Sequence, residues 1–255
     1  MPQSESRTAP LAFAVLAMVA AFSLGDPANA AGKARPDFSG VWRMARPAEI
    51  TDERQRTPAI PAPPLTPEGA AAYAADREAY RKSEEEGRPI ARDREVCIPD
   101  GMPRMLTTDL PFEIIQTPKR ITLITEFMAQ IRRIALDRTK HAKSEDAVDT
   151  FFGDSIGRWE GDTLVVETTG LKPRVKLFND VPRSDQLRIV ERIRLVTPNI
   201  LRDEVTIIDP KVLTKPWTVV RVFQRRPDLA VGEFVCTENN RNYRDAQGRL
   251  GTRMP

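Results

Sequence analysis

The chain of 255 residues contains a single histidine. That excludes an H-E-x-x-H helix, a multi-histidine zinc site and a facial triad of two histidines and a carboxylate. It contains 2 cysteines and no C-x-x-C, so dithiol redox chemistry has no motif. There is no P-loop and no G-x-G-x-x-G, so nothing in the sequence is built to cradle a nucleotide phosphate. Lys plus Arg is 39 against 36 Asp plus Glu, a net charge of +3. The charges are dispersed, with no run of five or six of one sign, which leaves no nucleic-acid footprint. Only one segment is apolar enough to approach a membrane span, so a polytopic membrane protein is excluded. No metal and no cofactor is expected. What remains is an ordinary globular balance, 40% hydrophobic and 29% charged.

The apolar segment lies at the start. Arg7 sits in a short polar lead, Pro10 to Leu24 carries no charge, Asp26-Pro27 breaks a helix, and Ala28-Asn29-Ala30 supplies an A-x-A cleavage site. Residues 1–30 therefore read as a signal peptide with Ala31 as the first mature residue. No lipobox cysteine stands at residues 21–24. The expectation is a periplasmic or secreted protein with no stable membrane span after cleavage. Cys97 and Cys236 both lie in the mature part, and an even count in an exported chain predicts a disulfide. It would close a loop of about 140 residues, worth on the order of 4–5 kcal/mol in the chain-entropy picture.

Residues 31–96 read as a first strand, a Pro-rich arm and a surface helix. The strand is Asp37 to Met44, entered through a small-residue turn. Pro47, Pro58, Pro61, Pro63, Pro64 and Pro67 follow, a density that forbids a ladder or a helix interior. Thr66 is a helix N-cap with Pro67 in the first turn. The run Ala70 to Glu86 favours helix, and Gly87 and Pro89 stop it.

Residues 97–242 change character. After a turn-rich loop at 97–104, short runs rich in Ile, Val, Thr, Phe and Trp recur. They are Phe112–Gln116, Arg120–Phe127, Ala129–Asp137, Ile156–Glu160, Thr163–Thr168, Leu187–Val196, Leu201–Ile208, Trp217–Gln224 and Glu233–Glu238. Turn signals separate most of them, and helical crossovers are missing, which predicts an antiparallel meander in a mainly β protein. Closure into a barrel removes both sheet edges, and a barrel of about eight strands can hold one small ligand. A two-sheet sandwich is the structural alternative. The polar residues 243–255 read as a flexible tail.

Gly153-Asp154-Ser155-Ile156-Gly157 matches G-x-S-x-G, but the residues after Ser155 read as a β-hairpin where a nucleophile elbow needs a helix. His141 also precedes the serine, against the hydrolase order. A turn held by Asp154 and Ser155 is the simpler reading. Glu145, Asp146, Asp149 and Asp154 lack EF-hand spacing and read as a solvated acidic loop. For acid–base chemistry the candidates are Glu126, at the end of an apolar strand, Asp137, His141 and Asp154, with Arg133 to steady an oxyanion. Period two puts Arg133 and Asp137 on one face and Ile134 and Leu136 on the other, without deciding which is inside. Arg132, Arg133, Arg188, Arg192, Arg194, Arg221 and Arg225, with Glu126, Glu191, Glu204 and Glu233, read as cross-strand ladders outside the barrel. An interior set facing an anionic head group is the alternative. Trp42, Trp159 and Trp217 are core plugs or ligand-binding platforms.

Gly40-Val41-Trp42 resembles the G-x-W of lipocalins, in which the tryptophan plugs the barrel end. A longer resemblance rests on CIPDGMPR at 97–104, GDSIGRWEGDTLVVET at 153–168, Glu191-Arg192-Ile193-Arg194, Asp209-Pro210 with Pro216-Trp217-Thr218, and CTENNR at 236–241. Together these resemble an exported bacterial family of undetermined function. The resemblance implies an all-β fold and both cysteines as regular features, and implies no activity. Where relatives tend to carry an Asp-Gly-Arg turn before His-Pro, this chain has Asp137-Arg138-Thr139-Lys140-His141-Ala142.

Three functions are compatible with these features. The first is a lipocalin-like barrel binding a small apolar or amphipathic molecule. The second is a cofactor-independent isomerase, dehydratase or lyase in the same cavity. The third is an envelope scaffold whose protein partner docks on residues 46–89.

Overall fold

The computed structural model describes residues 35–45, 50, 52, 55–141, 148–238 and 240–253. Residues 1–30, read as a signal peptide, Pro47 in the Pro-rich segment, and Glu145 and Asp146 of the segment read as an acidic loop lie outside the described residues.

Nine strands follow one another around a closed barrel. They are β1 (Gly40–Met44), β2 (Phe112–Gln116), β3 (Arg120–Thr125), β4 (Ile131–Ala135), β5 (Asp154–Glu160), β6 (Thr163–Thr169), β7 (Arg188–Thr197), β8 (Ile200–Ile208) and β9 (Trp217–Arg225). The mainly β, lipocalin-like barrel expected from the meander is the fold observed. Strand β1 closes it: Trp42 lies opposite Phe112 of β2 on one side and Arg225 of β9 on the other. Two-residue turns at Gly161-Asp162 and Pro198-Asn199 join β5 to β6 and β7 to β8, and Gly161 supplies the positive φ of the first.

One neighbour pair breaks the antiparallel rule. Strands β4 and β5 run parallel and share only two register pairs, Ile134 with Ser155 and Ala135 with Ile156. A parallel pair needs a long connection, and residues 136–153 make it. Beyond this seam β5 runs on to Glu160 while β4 has ended, so the wall parts there.

Alternation fills the lumen. Ile121 and Leu123, Ile134, Leu164 and Val166, Ile189 and Ile193, Leu201, Val205 and Ile207, Val219 and Phe223 all point inward and form one buried cluster. Trp42 belongs to it, fully buried, with its indole N–H donated to the Phe38 carbonyl at 2.9 Å. Met102, Met105 and Leu106 join the same cluster from the loop after Cys97.

Helix α1 (Pro67–Glu85) starts as the cap predicts: Thr66 Oγ1 accepts the Gly69 N–H at 3.0 Å. Only Gly69 of this helix is buried. A Cβ there would meet the Val212 carbonyl oxygen at 2.5 Å, so glycine lets the helix start press against the β8–β9 connection. The preceding arm lies on the barrel: Leu65 bridges Leu213, and the Trp217 indole donates to the Pro61 carbonyl at 3.1 Å.

The C-terminal region differs from expectation. Residues 233–238 form no strand; they belong to a segment tied down by the Cys97–Cys236 disulfide and by Gly232 N–H donating to Glu126 at 2.8 Å. The residues read as a flexible tail contribute instead to a hairpin, β10 (Asn242–Arg244) with β11 (Leu250–Thr252). Composition alone suggests fraying, but Arg244 reaches Asp93 at 2.8 Å and Leu250 N–H bonds the Pro89 carbonyl at 2.7 Å. No helix of the described residues is long and apolar enough to cross a membrane.

Candidate functional site

Two polar constellations stand out, one inside the barrel and one at the β4–β5 seam. The inner one breaks the outside-ladder reading. On β4 the inward phase is Arg132 and Ile134; on β7 it is Ile189, Glu191 and Ile193; on β8 it is Leu201, Asp203 and Val205; on β9 it is Val219, Arg221 and Phe223. One charged residue thus occupies an apolar register position on each of four strands. Arg132 and Glu191 are sealed from solvent and form a bidentate pair, with Nη1 to Oε1 at 2.8 Å. Arg132 Nη2 also donates to Thr168 Oγ1 at 3.1 Å and Ser155 Oγ at 3.3 Å. Burial works against the Arg132 charge, but Glu191 and Asp203 outweigh it and hold its guanidinium above the ordinary range. Burial drives the Asp203 carboxyl well above the usual carboxylate range, and the neighbouring Glu191 adds to the rise.

This arrangement settles Ser155. It is no elbow nucleophile and no turn residue: it lies within β5, buried, sharing a 2.8 Å hydrogen bond with Thr168. Arg221 is likewise inside, whereas Arg188 and Arg192 do line the outside. Arg188 pairs with Glu167 and Arg192 with Glu160.

The cavity beside the inner cluster measures about 20 Å³ and is walled by apolar side chains including Phe38, Leu106, Phe112 and Phe223. That is room for one water. The inward side chains fill the rest of the lumen, as small barrels allow.

The second constellation has more room. Where β4 leaves β5, a groove of about 310 Å³ is lined by Leu136, Ile156, Gly157 and Trp159, with Arg35, Arg138, Thr139, His141, Arg158 and Glu167 around them. Gly157 faces inward against Leu136 and Ile134, where a Cβ would come within 2.8 Å of Leu136. His141 Nδ1 lies 3.0 Å from Asp154 and Nε2 lies 3.4 Å from Glu167. Arg138 grips the same Asp154 with both terminal nitrogens.

Of the residues singled out from sequence, His141, Asp154 and Trp159 come together at this groove. Arg133 and Asp137 are exposed, on or beyond the outer face of β4. Glu126 lies at the β3–β4 corner, bound to Gly232 N–H. Trp42 and Trp217 are buried in the core with their indole N–H groups satisfied by main-chain carbonyls. The inner set of Arg132, Glu191, Asp203 and Arg221 was readable only as a charge in phase with apolar neighbours. Among the described residues no cluster of His, Cys, Asp and Glu has the form of a metal site. Comparison with protein-family models and with curated proteins finds no match.

Proposed function

We propose that this barrel is an exported binding protein that takes a small amphipathic molecule at the β4–β5 seam. The observation that carries the reading is the groove itself. Its volume of about 310 Å³ falls in the range of small-molecule sites, whereas the cavity beside the inner cluster, at about 20 Å³, has room for one water. Leu136, Ile156 and Trp159 offer the apolar part of a ligand a floor. Arg35, Arg138 and Arg158 line the groove with Glu167, and with the ion-pair partners Asp154, Glu160, Arg188 and Arg192 included the arginines still outnumber the carboxylates, which favours a ligand with an anionic end. The disulfide suits an oxidising compartment, which supports a periplasmic or secreted location.

The test is a fluorescence titration with anilinonaphthalene sulfonate, an aromatic anion of suitable size. One saturable site is expected. Thr139→Trp, an exposed position on the groove wall, should fill the groove and abolish binding with the circular dichroism unchanged. Arg158→Glu should weaken binding roughly tenfold, about 1.4 kcal/mol. Equal binding by the Thr139→Trp variant, or no saturable binding by the native protein, removes the groove as the ligand site.

A further inference from the structure

The register brings two carboxylates onto one inward face. Glu191 lies opposite Val205, and Asp203 lies two residues along the same strand, opposite Ile193. Both are at least 98% buried, and both line the small cavity at the barrel's centre. On that inward face Asp203 is the diagonal cross-strand neighbour of Glu191, within reach of a hydrogen bond between the two carboxyls. Carboxylate oxygens are acceptors only, so such a bond requires a hydrogen on one of them.

The groups facing the pair can be named strand by strand. Strand β4 offers Arg132, β5 Ser155, β6 Thr168 and β9 Arg221; β2 and β3 offer only Phe112, Ile114, Ile121 and Leu123. Glu204, next to Asp203 on β8, adds negative charge. Arg132 spends its terminal nitrogens on Glu191, Ser155 and Thr168. Arg221 lies over the Phe178 ring at 5.1 Å, and among the described residues it donates no hydrogen bond to Asp203. Asp203 Oδ1 and Arg132 Nε, both buried, have no partner among the described residues.

We propose that the lumen of the barrel is a proton-binding site in which Glu191 and Asp203 share one proton and Arg132 balances the single negative charge that remains. Two ionised carboxylates in contact, away from water, would repel each other with little screening. The shared proton removes that repulsion and leaves one hydrogen-bonded ion pair, with Arg132, while the Arg221 guanidinium, whose charge burial disfavours, rests over the Phe178 ring. The pair titrates as a unit. Loss of the proton in alkaline solution sets the two charges against each other across β7 and β8, so the barrel is locked by protonation.

The experiment is carboxyl carbon NMR on the folded chain, labelled at its Asp and Glu side chains and titrated from mildly acidic to alkaline pH. One carboxyl signal is expected to remain in its protonated position through neutrality. Asp203→Asn should remove that signal, because the amide N–H donates where the shared proton sits and Glu191 stays ionised against Arg132. A native spectrum in which every carboxyl has released its proton by neutrality overturns the proposal. So does a protonated signal that persists in the folded variant. If the variant does not fold, the native infrared spectrum at neutral pH decides: a neutral carboxylic acid C=O band supports the shared proton, and its absence overturns it.

Discussion

Arg132 of β4 and Glu191 of β7 are 59 residues apart in the chain and meet as a bidentate ion pair at the centre of the barrel, with 1% and 0% of their side chains exposed. A buried pair is not by itself a source of stability, because removing both charges from water costs as much as their attraction returns. Breaking it is another matter. Arg132→Met should cost about 3–5 kcal/mol by leaving Glu191 buried and unpaired. The double variant Arg132→Met/Glu191→Leu should lose less than the single one. Urea denaturation of the native chain, both single variants and the double variant measures the coupling. Equal and additive losses would show that the pair is not coupled.

The Asp203 carboxyl has a pH signature of known sign. Its native pKa stands above the ordinary 3.8, first through burial and then through Glu191. Above that ordinary value the unfolded chain has released the proton and the native chain has kept it. Stability from this group is therefore complete at acid pH and falls as pH rises through the native value. Relative to the native chain, Asp203→Asn should flatten that decline. Denaturation midpoints collected across the pH range, native minus variant, check it; a difference that does not change with pH would assign the titration elsewhere.

The disulfide joins the loop at Cys97 to the segment at Cys236 over a separation of 139 residues. Cys97→Ser/Cys236→Ser should lower stability by about 2–5 kcal/mol. The loss should be greatest for the segment around 232–240, which also depends on Gly232 donating to Glu126. Amide hydrogen exchange resolves this: protection should fall there first and survive in β7 and β8.

Gly153 has a φ of +68° and leads into β5. A Cβ at this position would collide with the Thr169 carbonyl oxygen and press on the Thr168 methyl group. Gly153→Ala should therefore cost about 1–3 kcal/mol and displace Asp154, which holds both Arg138 and His141. The thermal midpoint reads the first effect. Weaker binding of anilinonaphthalene sulfonate by the folded fraction reads the second.

Much of this architecture is local and therefore legible in the residues. Thr66 and Pro67 begin the helix because capping is decided within one turn. The β strands follow from β-branched and aromatic runs bounded by Gly161-Asp162, Pro198-Asn199 and Thr117-Pro118-Lys119, since each turn sets the pairing of the strands beside it. A meander without helical crossovers then favours closure. The even cysteine count in a chain read as exported pointed to the bridge, which joins segments far apart in sequence.

Only the tertiary structure decided what each charged strand residue faces. Period two assigns Arg132 and Arg133 to opposite sides, and nothing local says which side is the lumen, because the answer depends on strands dozens of residues away. Arg132 is inside because Glu191, Ser155 and Thr168 meet it there. Arg133 is outside, as is Asp137 beyond it. The same applies to the seam. His141 and Asp154 become neighbours, with Glu167 beside them, because β5 returns parallel to β4 and pairs with it over only two positions. That placement is a property of long-range pairing, which no single stretch of residues encodes.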